Sequence, residues 1–289
     1  MCYDYGAHSP ETSDRVQRWV YDAHDPWAVA KSLQRDGLVM LGGHVRAGKY
    51  APLLGIRRTV TFVRDPVQRL VSAYRHWRRY LGFEGSFEAF YQRRGSIDQQ
   101  SRYLDGIPAA AFGLVGVTER YDASLALLNE LFGVALERRE DNQSVAEAAP
   151  EAAVTAAQAE EIRALNPKDT ALYEACLAQL AERERLHEAG ARYAHGGLLR
   201  CRPREVVGWA WWERGEAPVE VEVYINDALA GVAQAAELCP PALAWGPPRG
   251  GYVRFRLPLQ ARPGDTVACR VREQGQCLAT GEIVRPKGG

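Results

Sequence analysis

Arg64 and Ser72 lie eight residues apart in the segment Phe62-Val63-Arg64-Asp65-Pro66-Val67-Gln68-Arg69-Leu70-Val71-Ser72-Ala73-Tyr74. A guanidinium and a hydroxyl at that spacing suit the binding of a phosphate. Upstream, Thr59-Val60-Thr61-Phe62-Val63 has the pattern of a buried β-strand. Downstream, Val67, Leu70, Val71 and Tyr74 recur at helical spacing, with Asp65 as N-cap and Pro66 at the first helical position. Arg64 is therefore expected at the carboxyl end of a strand, beside a helix N-terminus. Free N–H groups and the helix dipole attract anions there, and open α/β sheets collect their ligands at strand ends. Ser72, two turns into the helix, would add a hydroxyl from the same side. An isolated Arg-Asp-Pro is as readily a surface turn whose arginine pairs with a carboxylate. The neighbouring charge favours the anion: Arg46, Lys49, Arg57, Arg58, Arg64, Arg69, Arg75, Arg78 and Arg79 face a single acid, Asp65, in a chain of formal net charge zero.

Arg64-Asp-Pro-x-x-Arg69-x-x-Ser72-x-Tyr74 resembles the 3′-phosphate-binding motif of sulfotransferases that use 3′-phosphoadenosine 5′-phosphosulfate (PAPS), in the branch that includes heparan sulfate 2-O-sulfotransferase. Three further segments fit in order. Gly43-His44-Val45 resembles that branch's Gly-His-Val, Gln99-Gln100-Ser101-Arg102-Tyr103-Leu104 its mid-domain segment, and Leu114-Val115-Gly116-Val117-Thr118-Glu119-Arg120 its strand before an amphipathic helix. Together they cover about residues 36–176. The resemblance implies a P-loop-type three-layer α/β domain, PAPS as donor substrate bound through Arg64 and Ser72, His44 as the base that takes the acceptor's proton, a carbohydrate hydroxyl as acceptor, and no metal. From its spacing alone His44 is a loop histidine bonded to backbone. Arg75, Arg78 and Arg79 continue the basic helix, either to receive an anionic glycan or as a solvated face.

The chain departs from that family at its start. The family opens with a strand and a loop close to Pro-Lys-Thr-Ala-Gly-Thr, whose amides cradle the 5′-phosphosulfate and whose lysine stabilises the leaving group. Met1-Cys2-Tyr3-Asp4-Tyr5-Gly6 instead resembles sequence that follows that unit. The expectation is an α/β domain that starts one βα unit late, so a catalytically inactive remnant that binds desulfated PAPS or a glycan is the alternative to an active transferase. Gly43-His44-Val45-Arg46-Ala47-Gly48-Lys49 imitates the first part of a Walker A loop. It continues with Tyr50 where a Mg²⁺-binding Ser or Thr is required, and with Pro52 soon after.

These residues must be positioned by elements the periodicity already outlines. Helical patterns run over 13–35, 66–80, 86–93, 122–132, 151–164 and 169–194, with strands at 37–41, 58–63 and 113–117, which is the alternation of a layered α/β domain with a parallel sheet. The polar segment 138–144 is either a plain solvated loop or the family's adenine-covering loop. From about Gly197 the period changes to two: Val219–Ile225, Val253–Leu257 and Val267–Val271 alternate, with turn signals at Asn226-Asp227 and Pro263-Gly264-Asp265. A small antiparallel β-sandwich over 198–289 is expected beside an α/β domain over 1–195. Trp209, Trp211, Trp212 and Trp245 serve either core packing or sugar stacking, and Gly208-Trp209-Ala210-Trp211 resembles the opening of sandwich domains appended to bacterial glycan-modifying enzymes.

With 289 residues and 46% hydrophobic content the chain can bury a sizeable core. It has no long apolar run for a membrane span and no secretory leader at Met1, so a cytoplasmic protein is expected, unless an upstream segment carries such a signal. Six cysteines without Cys-x-x-Cys spacing argue for reduced thiols and against zinc, with Cys269 and Cys277 as partners across a hairpin in the alternative. No nucleic-acid-binding motif accompanies the basic run.

Overall fold

A computed structural model describes residues 1–37, 40–138 and 154–285. The expected loop 138–144 lies outside the described residues from 139 onward, as do Leu38 and Val39 of the expected strand 37–41.

The fold is mixed α/β, with two small parallel sheets and two antiparallel ones. The first parallel pair joins β1 (Cys2–Asp4) to β2 (Leu41–Gly43), with α1 (Asp14–Val16) and α2 (Pro26–Arg35) in the crossover. Parallel neighbours need such a connection, because a tight turn cannot return the chain in the same direction. After α3 (Ala51–Leu54) the second pair joins β3 (Val60–Val63) to β4 (Leu114–Val117), in register from Val60 opposite Leu114 to Val63 opposite Val117. Between them run α4 (Pro66–Tyr80), α5 (Phe87–Tyr91) and α6 (Gln99–Tyr103). Then follow α7 (Tyr121–Phe132), α8 (Ala156–Leu165) and α9 (Pro167–Glu188).

Local chemistry sets these bounds. The Asp65 carboxylate caps α4 with Pro66 in the first turn, and Val67, Leu70 and Tyr74 bury against Phe90, Tyr91 and Ile162. α7 stops where Gly133 turns left-handed, and a Thr155–Gln158 capping box opens α8. β1 was not expected. Its three residues alternate buried, exposed, buried.

Eight further strands form two four-stranded antiparallel sheets. One has the order β5 (Ala194–Arg202), β6 (Glu205–Trp212), β10 (Tyr252–Pro258), β9 (Glu237–Leu238). The other has the order β12 (Cys277–Glu282), β11 (Thr266–Val271), β7 (Glu220–Ile225), β8 (Ala228–Gln234). Asn226 and Asp227, at φ 47° and 64°, make the tight β7–β8 turn. The core between the sheets takes Val206, Ala210 and Trp212 from β6, and Val221, Val223, Phe255, Val267 and Cys269 from their neighbours. All six cysteines are free thiols, and Cys269 stands opposite Ala279 while Cys277 stands opposite Arg270.

The chain divides into two compact units: Met1–Thr59 with Ala110–Gly113 and Arg185–Gly289, and Val60–Ala109 with Leu114–Glu184. These bounds cut across the expected boundary near residue 195, and β6 supplies the reason. It is buried on both faces. Trp209 and Trp211 turn away from the inter-sheet core and stack on each other at 4.4 Å, with exposures of 1% each. Two indoles bury roughly 400 Å² together, a gross burial worth about 10 kcal/mol, so that face has to be covered. Trp245 meets Trp209 edge-on at 5.6 Å, His195 stacks on Trp211, and the His195 Nδ1–H donates to the Ala110 carbonyl (3.0 Å). The segment carrying Trp245 is tied to the amino-terminal residues: Ile56 N–H donates to the Gly246 carbonyl (3.0 Å), and Arg57 reaches Glu216 (3.0 Å). Trp209 and Trp211 are therefore core residues with no face for a sugar, while Trp245 is half-buried. No helix among the described residues is long and apolar enough to cross a membrane.

Gly246 tests this attachment. It sits at φ +65°, and a Cβ there would lie 2.6 Å from the Ala51 carbonyl oxygen, whereas a Cβ on Gly250 (φ +61°) would meet nothing within 4 Å. Gly250→Ala is expected to cost about 1 kcal/mol from backbone strain alone, and Gly246→Ala about 2–4 kcal/mol. Thermal melts of the two variants, compared at one scan rate, measure the difference.

Candidate functional site

The corner between β3 and α4 is built from hydrogen bonds to side chains. Arg64 N–H donates to Gln100 Oε1 (2.8 Å), and Gln100 Nε2 donates back to the Arg64 carbonyl (2.9 Å), so one carboxamide holds both sides of the residue. Asp65 N–H donates to Glu119 Oε1 (3.0 Å), and Asp65 Oδ1 accepts from the N–H groups of Val67 and Gln68 (3.0 Å each). The amides expected to be open to an anion at this helix start are thus engaged by the protein's own oxygens. The N-cap aspartate that makes the helix legible is also what occupies its amides. An anion can meet this corner only through side chains.

The Arg64 side chain is 36% exposed, with its Nε 3.9 Å from Glu119 Oε1. That Nε is buried and has no hydrogen-bond partner. A buried donor in that condition costs about 1–3 kcal/mol, part of which the Glu119 carboxylate beside it offsets through its charge. Ser72 is exposed on α4, away from the buried Val67, Leu70 and Tyr74. Helical spacing places Arg75 and Arg79 along the same flank as Ser72. Arg78 lies 5.7 Å from the Tyr74 ring and Arg79 5.3 Å from the Tyr80 ring, and all three arginines are exposed.

Sequence reasoning assigned no roles within Gln99-Gln100-Ser101, which hold this corner in place. Gln99 Oε1 accepts from Arg69 Nη1 (2.7 Å), and Arg69 Nη2 donates to the Ser96 carbonyl (2.6 Å). Arg69 is therefore a brace for the loop ahead of α6. Burial pulls its guanidinium below the ordinary value, and Asp169, 3.9 Å away, opposes that. Asp169, fully buried, accepts from the N–H groups of Gln100 (3.1 Å) and Ser101 (2.8 Å), while Asp98 Oδ1 accepts from those of Lys168 (3.0 Å) and Asp169 (3.1 Å). Each aspartate caps the other's helix. The signal was present as an aspartate at the start of each helix, Asp98 as the N-cap of α6 and Asp169 in the first turn of α9, but the partner of each lies some seventy residues away in the chain.

His44 belongs to the other unit. It follows β2, is exposed, and donates its N–H to the Asp4 carbonyl (3.2 Å), with its ring 5.2 Å from that of Tyr5. Beneath it the buried Asp4 carboxylate accepts from Lys49 Nζ (2.6 Å), Tyr50 OH (2.6 Å), Tyr21 OH (2.7 Å) and Gly6 N–H (3.1 Å). Lys49, the lysine of the Walker-like sequence, is thereby bound to Asp4 and also donates to Tyr21 (2.7 Å). Amides of the 5–13 turn likewise point inward: Tyr5 N–H donates to Thr12 Oγ1, His8 N–H to Gln17 Oε1 and Ser13 N–H to the Tyr3 carbonyl. Among the described residues no group of three or more His, Cys, Asp or Glu side chains is placed to hold a metal.

Arg64 stands at the β3–α4 corner and Ser72 two turns along α4 in the same unit, and His44 is carried by the other unit. Compared with protein-family models, curated proteins and solved structures, the chain has no match.

Two outcomes follow from this geometry. Gln100→Leu leaves the N–H and carbonyl of Arg64 without their partner, and is expected to lower stability by about 2–4 kcal/mol; chemical denaturation measures it. Asp4 supplies a pH dependence. Burial opposes its ionised form, but the hydrogen bonds from Lys49, Tyr50 and Tyr21 outweigh that and hold its carboxyl below the usual carboxylate value. A folded-state value that is depressed stabilises the protein above the unfolded value, near 4, and the stabilisation is lost as pH falls through the folded value. Melting temperature recorded between pH 7 and pH 2 should therefore fall more steeply at the acid end for the native chain than for Asp4→Asn, which starts lower at neutral pH.

Proposed function

We propose that this protein is a sulfotransferase of P-loop-type α/β architecture that moves a sulfuryl group from PAPS to a carbohydrate hydroxyl. The observation that carries the proposal is the β3–α4 corner, where Arg64 stands at a strand's carboxyl end with its backbone clasped by Gln100 and its buried Nε lacking a hydrogen-bond partner. Parallel strand pairs joined through helices, in which this corner is set, are the units from which such a fold is built.

In the proposed reaction a new S–O bond forms to the acceptor oxygen as the S–O bond to the 5′-phosphate breaks. The electron pair of the broken bond leaves on the phosphate oxygen, and the acceptor's proton passes to His44. Arg64 and Ser72 hold the donor's 3′-phosphate and so set its register. Arg75, Arg78 and Arg79, exposed on α4, add positive charge suited to an anionic acceptor. Transfer of this kind depends on alignment and on stabilising charge at the leaving oxygen more than on covalent help from the protein.

A second reading, binding of adenosine 3′,5′-bisphosphate or a glycan without transfer, is favoured by one observation. The amides of Val67 and Gln68 at the α4 N-terminus and of Tyr5 and His8 in the 5–13 turn are engaged internally, so none of these four is open to the leaving phosphate.

Labelled-sulfate transfer and calorimetry with adenosine 3′,5′-bisphosphate separate the two. Arg64→Ala should weaken nucleotide binding about tenfold or more. His44→Ala should leave that binding within about twofold and lower turnover about a hundredfold or more. Nucleotide binding that is unchanged in Arg64→Ala would sink both readings, and binding without transfer in the native chain would select the second.

A further inference from the structure

β1 separates its side chains cleanly by face. Cys2 and Asp4 point inward and are buried, while Tyr3 and Tyr5 share the outer face at 38% and 41% exposure. Their rings lie 6.2 Å apart and 25° from parallel. The His44 imidazole meets the Tyr5 ring edge-on at 5.2 Å, which extends the two phenols into one exposed aromatic surface.

The backbone beneath that surface is held from several sides. Tyr3 N–H donates to Ser13 Oγ and Tyr5 N–H to Thr12 Oγ1, at 2.9 Å each. Between the two tyrosines, Asp4 is anchored by Lys49, Tyr50 and Tyr21, and its carbonyl accepts from His44 N–H. The strand ends also touch closely: a Cβ on Gly43 would lie 1.9 Å from the Asp4 carbonyl oxygen, so only glycine permits the approach. Rings presented on so fixed a frame lose little freedom when a ligand covers them.

We propose that Tyr3 and Tyr5 form the acceptor shelf, on which a pyranose ring lies with its C–H face against the Tyr5 ring and one hydroxyl directed at His44. This deepens the sulfuryl-transfer reading and rests on its assignment of His44. The surface chemistry selects the occupant. Three rings are far too small for a stable protein partner, which needs about 800 Å² on each side. Phenols carry no positive charge to hold a lone anion. A sugar ring combines weakly positive C–H groups, which suit the negative face of an aromatic ring, with hydroxyls for the phenolic OH and the imidazole.

The test is an NMR titration of the full chain, without donor, using unsulfated hexasaccharides of glucose, of N-acetylglucosamine and of a uronate-containing repeat. At least one should bind and shift the resonances of Tyr3, Tyr5 and His44. Tyr5→Leu, which keeps bulk but loses the aromatic face, should weaken that binding about tenfold, and Tyr5→Phe should stay within about twofold. A melting temperature unchanged in both variants shows that the surface alone was altered. The shelf is overturned by sugar binding of native strength in Tyr5→Leu, by the absence of binding for all three sugars, or by adenosine 3′,5′-bisphosphate shifting these resonances in their place. Failure of the transfer reading looks different: Tyr5-dependent sugar binding would persist with no sulfate transferred under any condition.

Discussion

The paired hydrogen bonds between the Gln100 carboxamide and the backbone of Arg64 hold the candidate anion site together. A strand that ends at a helix start leaves backbone groups with no partner in either element, and buried groups of that kind must be satisfied from elsewhere. Gln100 satisfies both sides of Arg64. It is itself held because Asp169 binds the first amides of its helix, and Asp169 is held because Asp98 caps α9 in return. The orientation of one arginine thus depends on residues about thirty-five and a hundred positions downstream. That interdependence makes the corner rigid, and it also removes the amides that an anion would otherwise use.

A different constraint organises the other unit. Strand β6 is apolar on both faces, so the sandwich cannot stand with one face in water as its neighbouring strands allow. Its outer tryptophans are covered by Trp245 and His195, and the segment carrying Trp245 is hydrogen-bonded to Ile56. The amino-terminal residues and the sandwich consequently share a compact unit. The same residues bring β1 and β2 together over the Asp4 cluster, where a fully buried carboxylate is tolerated because four donors surround it.

The two units also divide the chemistry. Charge is concentrated on α4, where Arg75, Arg78 and Arg79 are exposed. Aromatic surface is concentrated at the end of β1, where Tyr3, Tyr5 and His44 are exposed. A polar ring with an apolar face suits the second, and an oxyanion suits the first. In the first, the arginine that the motif places closest to Arg64 proves to be a brace: Arg69 turns to Gln99 and Ser96.

Local chemistry was enough to place α4, α7 and the β7–β8 turn from the sequence. An aspartate before a proline, a glycine after an apolar stripe and an Asn-Asp pair between alternating strands each act over a few residues. The alternation of Val219–Ile225 and Val267–Val271 likewise announced a two-faced sheet, and the position of Arg64 at a strand end followed from the run before it. The sequence did not reveal β1, because three residues are too few for a period to register. It also did not reveal which oxygens would occupy the α4 amides, or that Trp209 and Trp211 would be covered by residues near the amino terminus. Those outcomes turn on pairings between distant positions, Gln100 with Arg64, Asp98 with Lys168, Ile56 with Gly246. A hydrogen-bonding side chain declares in sequence only that it needs a partner, and the folded chain alone decides which one it meets.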